Sequence, residues 1–225
     1  MKVGTTLPQF QPDAGRLFDA VQRAERLGLH GVFVFDHLWP IGRPDRAILP
    51  STGLLGAIAA ETASIAVGTL VARIGLRPDA VLVHELATAA RIAPGRIIAG
   101  LGTGDRLSAP ENLAYGLAYP PREERLASLE RCARALRERG ITVWAGGRSR
   151  AVRDISRGAD ALNLWEAPVT EVGDAVAAGL TVTWGGQVPP GVRVADHLRA
   201  LAEAGAVWAV VGWSEELEEL AAAAP

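Results

Sequence analysis

The stretch VFVFDHLW, Val32 to Trp39, decides how the rest of the chain is read. Four apolar residues of strand type, all β-branched or aromatic, are followed at once by an acid, an imidazole and an indole. The question it raises is what a strand that ends in Asp36-His37 serves.

Outward from this stretch the same change of character recurs. Short β-branched runs alternate with longer amphipathic segments rich in Ala, Arg and Glu. The runs are KVGTTL, GVFVF, SIAVGTLV, RIIAGLG, ITVWAG, ADALNLW, LTVTWGG and AVWAVVGW. Helices are predicted over 14–28, 53–62, 79–93, 121–139, 149–157, 169–178, 194–204 and 215–223, several of them after a Gly or Pro. Eight strand-helix units in 225 residues leave roughly 28 residues for each, within the range of an α/β (β/α)8 TIM barrel that is compact and carries few insertions. The expectation is one domain spanning 1–225. An open doubly wound sheet competes through GLGTG at Gly100 to Gly104. That loop lacks the Gly-x-Gly-x-x-Gly spacing, and no strand ending in an acid follows about 20 residues on.

A barrel places its active site at the carboxyl ends of its strands. There the chain sets Asp36, His37 and Trp39 after the second strand and Arg73 after the third. Gly102, Thr103, Gly104 and Asp105 follow the fourth strand, and Gly146, Gly147, Arg148 and Ser149 the fifth. The last three strands end near Trp165, Trp184 and Trp213, so that five of the six tryptophans lie at or near strand ends. An aromatic-lined mouth suits a flat, conjugated ligand, and the competing reading is that these rings cap the core.

Composition removes whole classes of function. A formal charge of -2 without a long basic run gives no electrostatic case for nucleic acid or an anionic membrane. No apolar run approaches the roughly 20 residues of a membrane span. The N-terminal apolar stretch is broken by Pro8 and Pro12, unlike a signal peptide, so a cytoplasmic protein is expected. Lys2 is the only lysine, which excludes a P-loop and a Schiff-base lysine in the body of the chain. A single cysteine, Cys132, excludes an intrachain disulfide and a multi-cysteine zinc site, and its helical spacing with Leu129 and Leu136 places it in the core. Four scattered histidines form no His-Glu-x-x-His pair, so no metal site is expected. Without a Gly-x-Ser-x-Gly there is no serine-hydrolase elbow.

Taken in order, AERLGLHGVFVFDHLW, IAVGTLVAR, PGRIIAGLGTGDRLSAPENLAYGL with REERLASLE, VWAGGRSRAVRDISRGADALNLW and TVTWGG resemble the luciferase-like monooxygenase superfamily. The likeness is strongest to its coenzyme F420-dependent branch. It implies a cofactor held at the mouth, F420 or alternatively FMN. It also implies a non-prolyl cis peptide at Leu70-Val71, beside Thr69, supporting the back of the ring. Gly102, Thr103 and Gly104 would meet the cofactor, with Asp105 near the ring, shorter than the Glu of some relatives. Glu111 and Arg125 recur as family-pattern positions, in an ion pair or against ligand. A homodimer is expected by the same resemblance.

GGRSR has its own physical rationale as an anion site. Gly146, Gly147, the N-cap Ser149 and the arginines 148, 150 and 153 offer free N–H groups and guanidinium forks to phosphate. Imidazole suits a proton role near neutral pH, which makes His37 the candidate acid-base group; the resemblance implies the same assignment, with Asp36 holding the loop or contacting the ring. His30, His84 and His197 are expected to be structural. The function so read is hydride transfer between a deazaflavin and a small organic substrate. The alternatives are an FMN-dependent monooxygenase and, from another class, a non-catalytic flavin-binding barrel. Only 38–53 and 105–123 read as extended loops, so the pocket is expected to be open, completed by a dimer partner or partly degenerate.

Overall fold

A computed structural model of the chain describes residues 1–40 and 42–224. Eight strands close into a parallel barrel in chain order: β1 (Lys2–Thr6), β2 (Gly31–Val34), β3 (Ala66–Arg73), β4 (Ile97–Gly102), β5 (Thr142–Gly146), β6 (Ala161–Trp165), β7 (Val182–Gly186) and β8 (Trp208–Val211). Closure is made by β8 lying beside β1, with Gly4 opposite Val210, while Thr5 stands opposite Val32 on the other side. Helices α1 (Ala14–Arg26), α2 (Ser51–Glu61), α3 (Asp79–Ile92), α5 (Arg122–Arg137), α6 (Arg150–Ser156), α7 (Val169–Ala177), α8 (Val194–Glu203) and α9 (Leu217–Ala222) alternate with the strands. The stretch after β4 is no plain loop. Asp105 caps a 3-10 turn, Arg106–Ser108, which runs into α4 (Ala109–Ala114) with a proline in its first turn.

The barrel interior is filled rather than hollow. Phe33, Trp144 and Trp208 meet there with ring centroids 5.2, 5.5 and 6.0 Å apart, together with Leu70, Ile98 and Val210. Such rings fit because neighbouring positions on β2 and β3 carry glycine. A Cβ on Gly68 would come within 2.6 Å of the Phe33 ring, and one on Gly31 within 3.1 Å of the Trp208 ring. Large and small side chains therefore interlock inside the barrel, as close packing demands. Between the strands and the helices a second, larger cluster runs round the barrel, with Cys132 buried among its apolar residues. Burial pushes the Cys132 thiol up to about 12, so it stays protonated and packs as an apolar group.

Trp184 points outward from β7, donating its indole N–H to the Ala167 carbonyl (2.9 Å) and meeting His197 of α8 edge-on at 4.7 Å. The imidazole of His197 is buried, its Nε2 has no partner among the described residues, and burial lowers its affinity for a proton. The unfolded chain therefore takes up this proton first as the pH falls. Stability should be full above the ordinary histidine value of about 6.5 and decline below it, by at most about 1.4 kcal/mol per pH unit. His197→Leu is expected to flatten this decline between about pH 6.5 and 5, as read from urea unfolding of both proteins across that range. An unchanged slope would mean that His197 takes up its proton alike in the folded and unfolded states.

No helix of the described residues is long and apolar enough to cross a membrane.

Candidate active site

At the carboxyl ends of the strands lies a cleft of about 780 Å³. Its floor is Leu70 and Val71, which follow the point where β3 shifts register against β4 between Thr69 and Ala72. The Leu70-Val71 peptide bond is cis, at the position the resemblance implies. Val71 lies across Gly102 and Gly146: a Cβ on Gly146 would come within 2.7 Å of it, and one on Gly102 closer still. Any side chain at these two glycines would push Val71 up into the cleft, so glycine there keeps the floor low. One wall is aromatic. Phe10 stacks on Phe35 at 5.4 Å, and Trp165 meets Phe35 edge-on at 5.6 Å. Phe35 is fixed through its backbone by the buried Gln9, whose amide oxygen accepts the Phe35 N–H (2.7 Å). The Gln9 Nε2 donates to the carbonyls of Phe35 (2.7 Å) and Leu49 (2.6 Å).

His37 lines the cleft where the β2 run ends. Its Nδ1 lies 3.0 Å from Oε2 of Glu111 on α4, and Glu111 also accepts the Leu38 N–H. Arg73, at the end of β3, forks between Glu111 (2.8 Å) and the Asn112 Oδ1 (2.9 Å). Asn112 in turn donates to the carbonyls of Gly75 and Ala118, both at 2.9 Å. These bonds staple α4 to the ends of β2 and β3. Burial disfavours a charge on Glu111, but the bonds from His37 and the Leu38 N–H, with the Arg73 charge, outweigh it and hold the carboxyl below the usual range.

The positions expected from sequence divide between cleft and scaffold. His37, Asp105, Leu70, Val71, Gly102, Thr103, Gly104, Gly146, Gly147, Arg148 and Ser149 line the cleft. Asp36, Thr69 and Arg150 do not. The Asp36 carboxylate is buried beneath its loop, gripped by both Nη groups of Arg77 (2.7 and 2.8 Å), the Ser51 hydroxyl (2.6 Å) and the Arg73 N–H (2.8 Å). Burial raises its pKa and these partners more than reverse the effect, so it is an anion anchoring the β2 end and has no path to a ring. Thr69 faces the crevice between α2 and α3 and donates to the Gly100 carbonyl (2.8 Å), because strand alternation turns it away from Leu70. Arg150 begins α6 on its solvent side, 96% exposed and 3.9 Å from Asp154.

Asp105 lies on the cleft wall, but its Oδ1 accepts from the N–H groups of Leu107 (2.9 Å) and Ser108 (3.2 Å) and from the Ser108 hydroxyl (3.2 Å). It is a cap. The tryptophan-lined mouth also needs correction, since Trp165 is the one tryptophan among the lining residues. Trp144 and Trp208 fill the barrel, Trp184 faces α8, and Trp39 packs on Tyr115 at 5.8 Å. A one-residue difference along a strand decides whether a ring points inward or outward, and the mere nearness of a tryptophan to a strand end does not carry that information.

The rim is cationic. Arg148 and Arg153 share one carboxylate, Glu171, leaving a surplus positive charge beside Ser149. Arg46 and Arg122 also line the cleft and have no carboxylate partner among the described residues. Sequence reading passed over Gln9, Phe10, Asn163 and these last two arginines. Phe10 and the arginines lie in segments with no strand end to draw attention, while Gln9 acts on a residue 26 positions away.

A family model described as luciferase-like monooxygenase matches residues 1–157. An F420-dependent glucose-6-phosphate dehydrogenase of Nakamurella multipartita is 36% identical over 142 residues, 62% of this chain and 39% of that protein. The chain thus spans about two fifths of that relative's length. The solved structure of an F420-dependent secondary alcohol dehydrogenase in complex with an F420-acetone adduct is similar at a TM-score of 0.77 and 13% identity, over 94% of this chain and 92% of that one. The oxygenating constituent of 3,6-diketocamphane monooxygenase from Pseudomonas putida, in complex with FMN, is similar at a TM-score of 0.62 and 16% identity, over 90% and 71%. At these identities the two structures share the fold with this chain.

Proposed function

We propose that this chain, which belongs to the luciferase-like monooxygenase family, is a coenzyme F420-dependent oxidoreductase that transfers hydride to or from a small organic substrate. The observation that carries the reading is the cleft itself: a low apolar floor, an aromatic wall, one open imidazole and a cationic rim around a single space. Relatives named F420-dependent glucose-6-phosphate dehydrogenase support the choice of cofactor and point to substrates whose reacting carbon bears a hydroxyl.

The residues present fit an aromatic ring with an anionic tail. Leu70 and Val71 offer the ring a flat apolar support, and Phe35 and Trp165 shield it from water. With Lys2 at the far end of the barrel against Trp208, the tail would be held by arginine and backbone N–H groups. Gly147 and Ser149, next to the surplus charge of Arg148 and Arg153, are the contacts we assign to it. A bound deazaflavin would supply the hydride-carrying carbon. His37 would hold or release the accompanying proton at Nε2, while Asp36 and Asp105 fix the backbone around it. We place the protein in the cytoplasm, as a homodimer by its resemblance to the family, acting on a small molecule; its near-neutral charge balance supports the reading without nucleic-acid or membrane partners.

FMN is the second cofactor reading, favoured by the FMN complex among the structurally similar proteins. Separate spectral titrations with F420 and FMN decide between them. Saturable binding of F420 in the micromolar range, with FMN weaker, is expected. The reverse order would favour the monooxygenase reading, and binding of neither would undo both. Binding of F420 with no hydride exchange on any trial alcohol would favour a non-catalytic flavin-binding barrel.

A further inference from the structure

Among the described residues the Nε2 of His37 has no hydrogen-bond partner, while its Nδ1 is held at 3.0 Å by a carboxylate oxygen of Glu111. An ionised carboxylate can only accept, so the proton between them belongs to Nδ1. In the neutral ring Nε2 is then the bare acceptor. Glu111 cannot swing away to offer another arrangement. Its side chain is 1% exposed, Arg73 occupies the same oxygen at 2.8 Å, and the Leu38 N–H occupies the other. Arg73 is itself held by Asn112, which is tied to the loops on either side of it.

We propose that Glu111 is a positioning residue. From α4 it selects the Nδ1–H tautomer of His37 and aims Nε2 into the cleft as a proton acceptor. The role in turnover rests on the oxidoreductase reading, but the tautomer does not depend on it. Arg73 and Asn112 are the outer supports, so α4, none of whose residues lines the cleft, acts on the chemistry through His37. A carboxylate behind an imidazole fixes ring orientation as well as tautomer, which is how such pairs prepare a general base.

The test uses the full chain without cofactor, labelled with nitrogen-15 at histidine. Ring nitrogen shifts at a pH where His37 is neutral should show the Nδ1–H form in the wild type. Glu111→Leu removes the acceptor behind Nδ1, and it is expected to shift His37 toward the Nε2–H form. In turnover the same variant should lose about 10- to 100-fold in kcat, the scale for losing a partner that orients an active imidazole, with KM and cofactor affinity changed less than about threefold. A wild-type His37 in the Nε2–H form would overturn the proposal, even if the variant did not fold. So would a folded variant with an unchanged tautomer. If F420 and FMN both fail to bind while the tautomer behaves as described, the cofactor reading falls and the positioning role stands.

Discussion

His37→Ala is expected to lower turnover by about 10²- to 10⁴-fold, the range for losing a positioned acid-base group, while the cofactor still binds. Apart from His37, the titratable side chains lining the cleft are committed or unsuited. Asp105 is a cap, the arginines remain cations, and Asp36 lies outside the lining, buried under Arg77. Among the described lining residues His37 is the one side chain suited to exchange a proton with a ligand near neutral pH. Binding is expected to survive because the support for a ring comes from Leu70, Val71, Phe35 and Trp165, none of which is held by the imidazole. The measurement is a spectral titration of the variant beside steady-state rates on a panel of secondary alcohols and sugar phosphates. A variant that binds cofactor and turns over within about threefold of the wild type would show that His37 only holds its loop, since acid-base groups contribute far more.

Arg73→Leu is expected to cost about 3–5 kcal/mol of stability, the scale for leaving a buried charge without its partner. The guanidinium and the Glu111 carboxylate are 3% and 1% exposed and 2.8 Å apart. With the arginine gone, Glu111 keeps only His37 and the Leu38 N–H, and α4 loses its hold on β3 through Asn112. The folded state holds Glu111 below the usual carboxylate range. Its contribution is therefore present above the unfolded value of about 4.3 and lost as the pH falls through the folded one. The cost of Arg73→Leu should accordingly be seen in full at pH 7 and shrink on acidification. Urea unfolding at pH 7 measures it. The double variant Arg73→Leu, Glu111→Leu should recover part of the loss, because it removes the stranded charge as well. A single variant within about 1 kcal/mol of the wild type would mean that water reaches Glu111 and the pair is not buried in solution.

Both predictions turn on residues of unequal legibility. His37 could be singled out because it stands at the end of an unbroken strand-type run, and the barrel rule says where such an end points. Gly102, Gly104, Gly146 and Gly147 were visible on the same ground, and GGRSR added the chemistry of an anion site. Asp36 stands next to His37 in the chain yet lies outside the cleft that His37 lines. Which of two adjacent side chains faces the cleft depends on the twist of the chain leaving β2 and on Arg77 arriving from the β3 end. Glu111 was noticed as a pattern position, but its partner lies 74 residues away. The α4 helix that carries it has no legible signal in the sequence, because six residues opened by a capped turn give too short a period to register.

By itself the sequence determined the alternation of strand and helix, hence the (β/α)8 barrel, and the end of that barrel at which side chains gather. These follow from period and composition, which are local and repeat eight times over. Only the tertiary structure decided which residues line the cleft and which support it. It sent Trp144 and Trp208 into the barrel beside Phe33, where Gly31 and Gly68 leave room for the Trp208 and Phe33 rings, turned Asp36 and Asp105 into anchors, and set Glu111 behind His37. Those outcomes depend on partners far apart in the chain and on which face of a strand a single residue takes, and neither is written in any one segment.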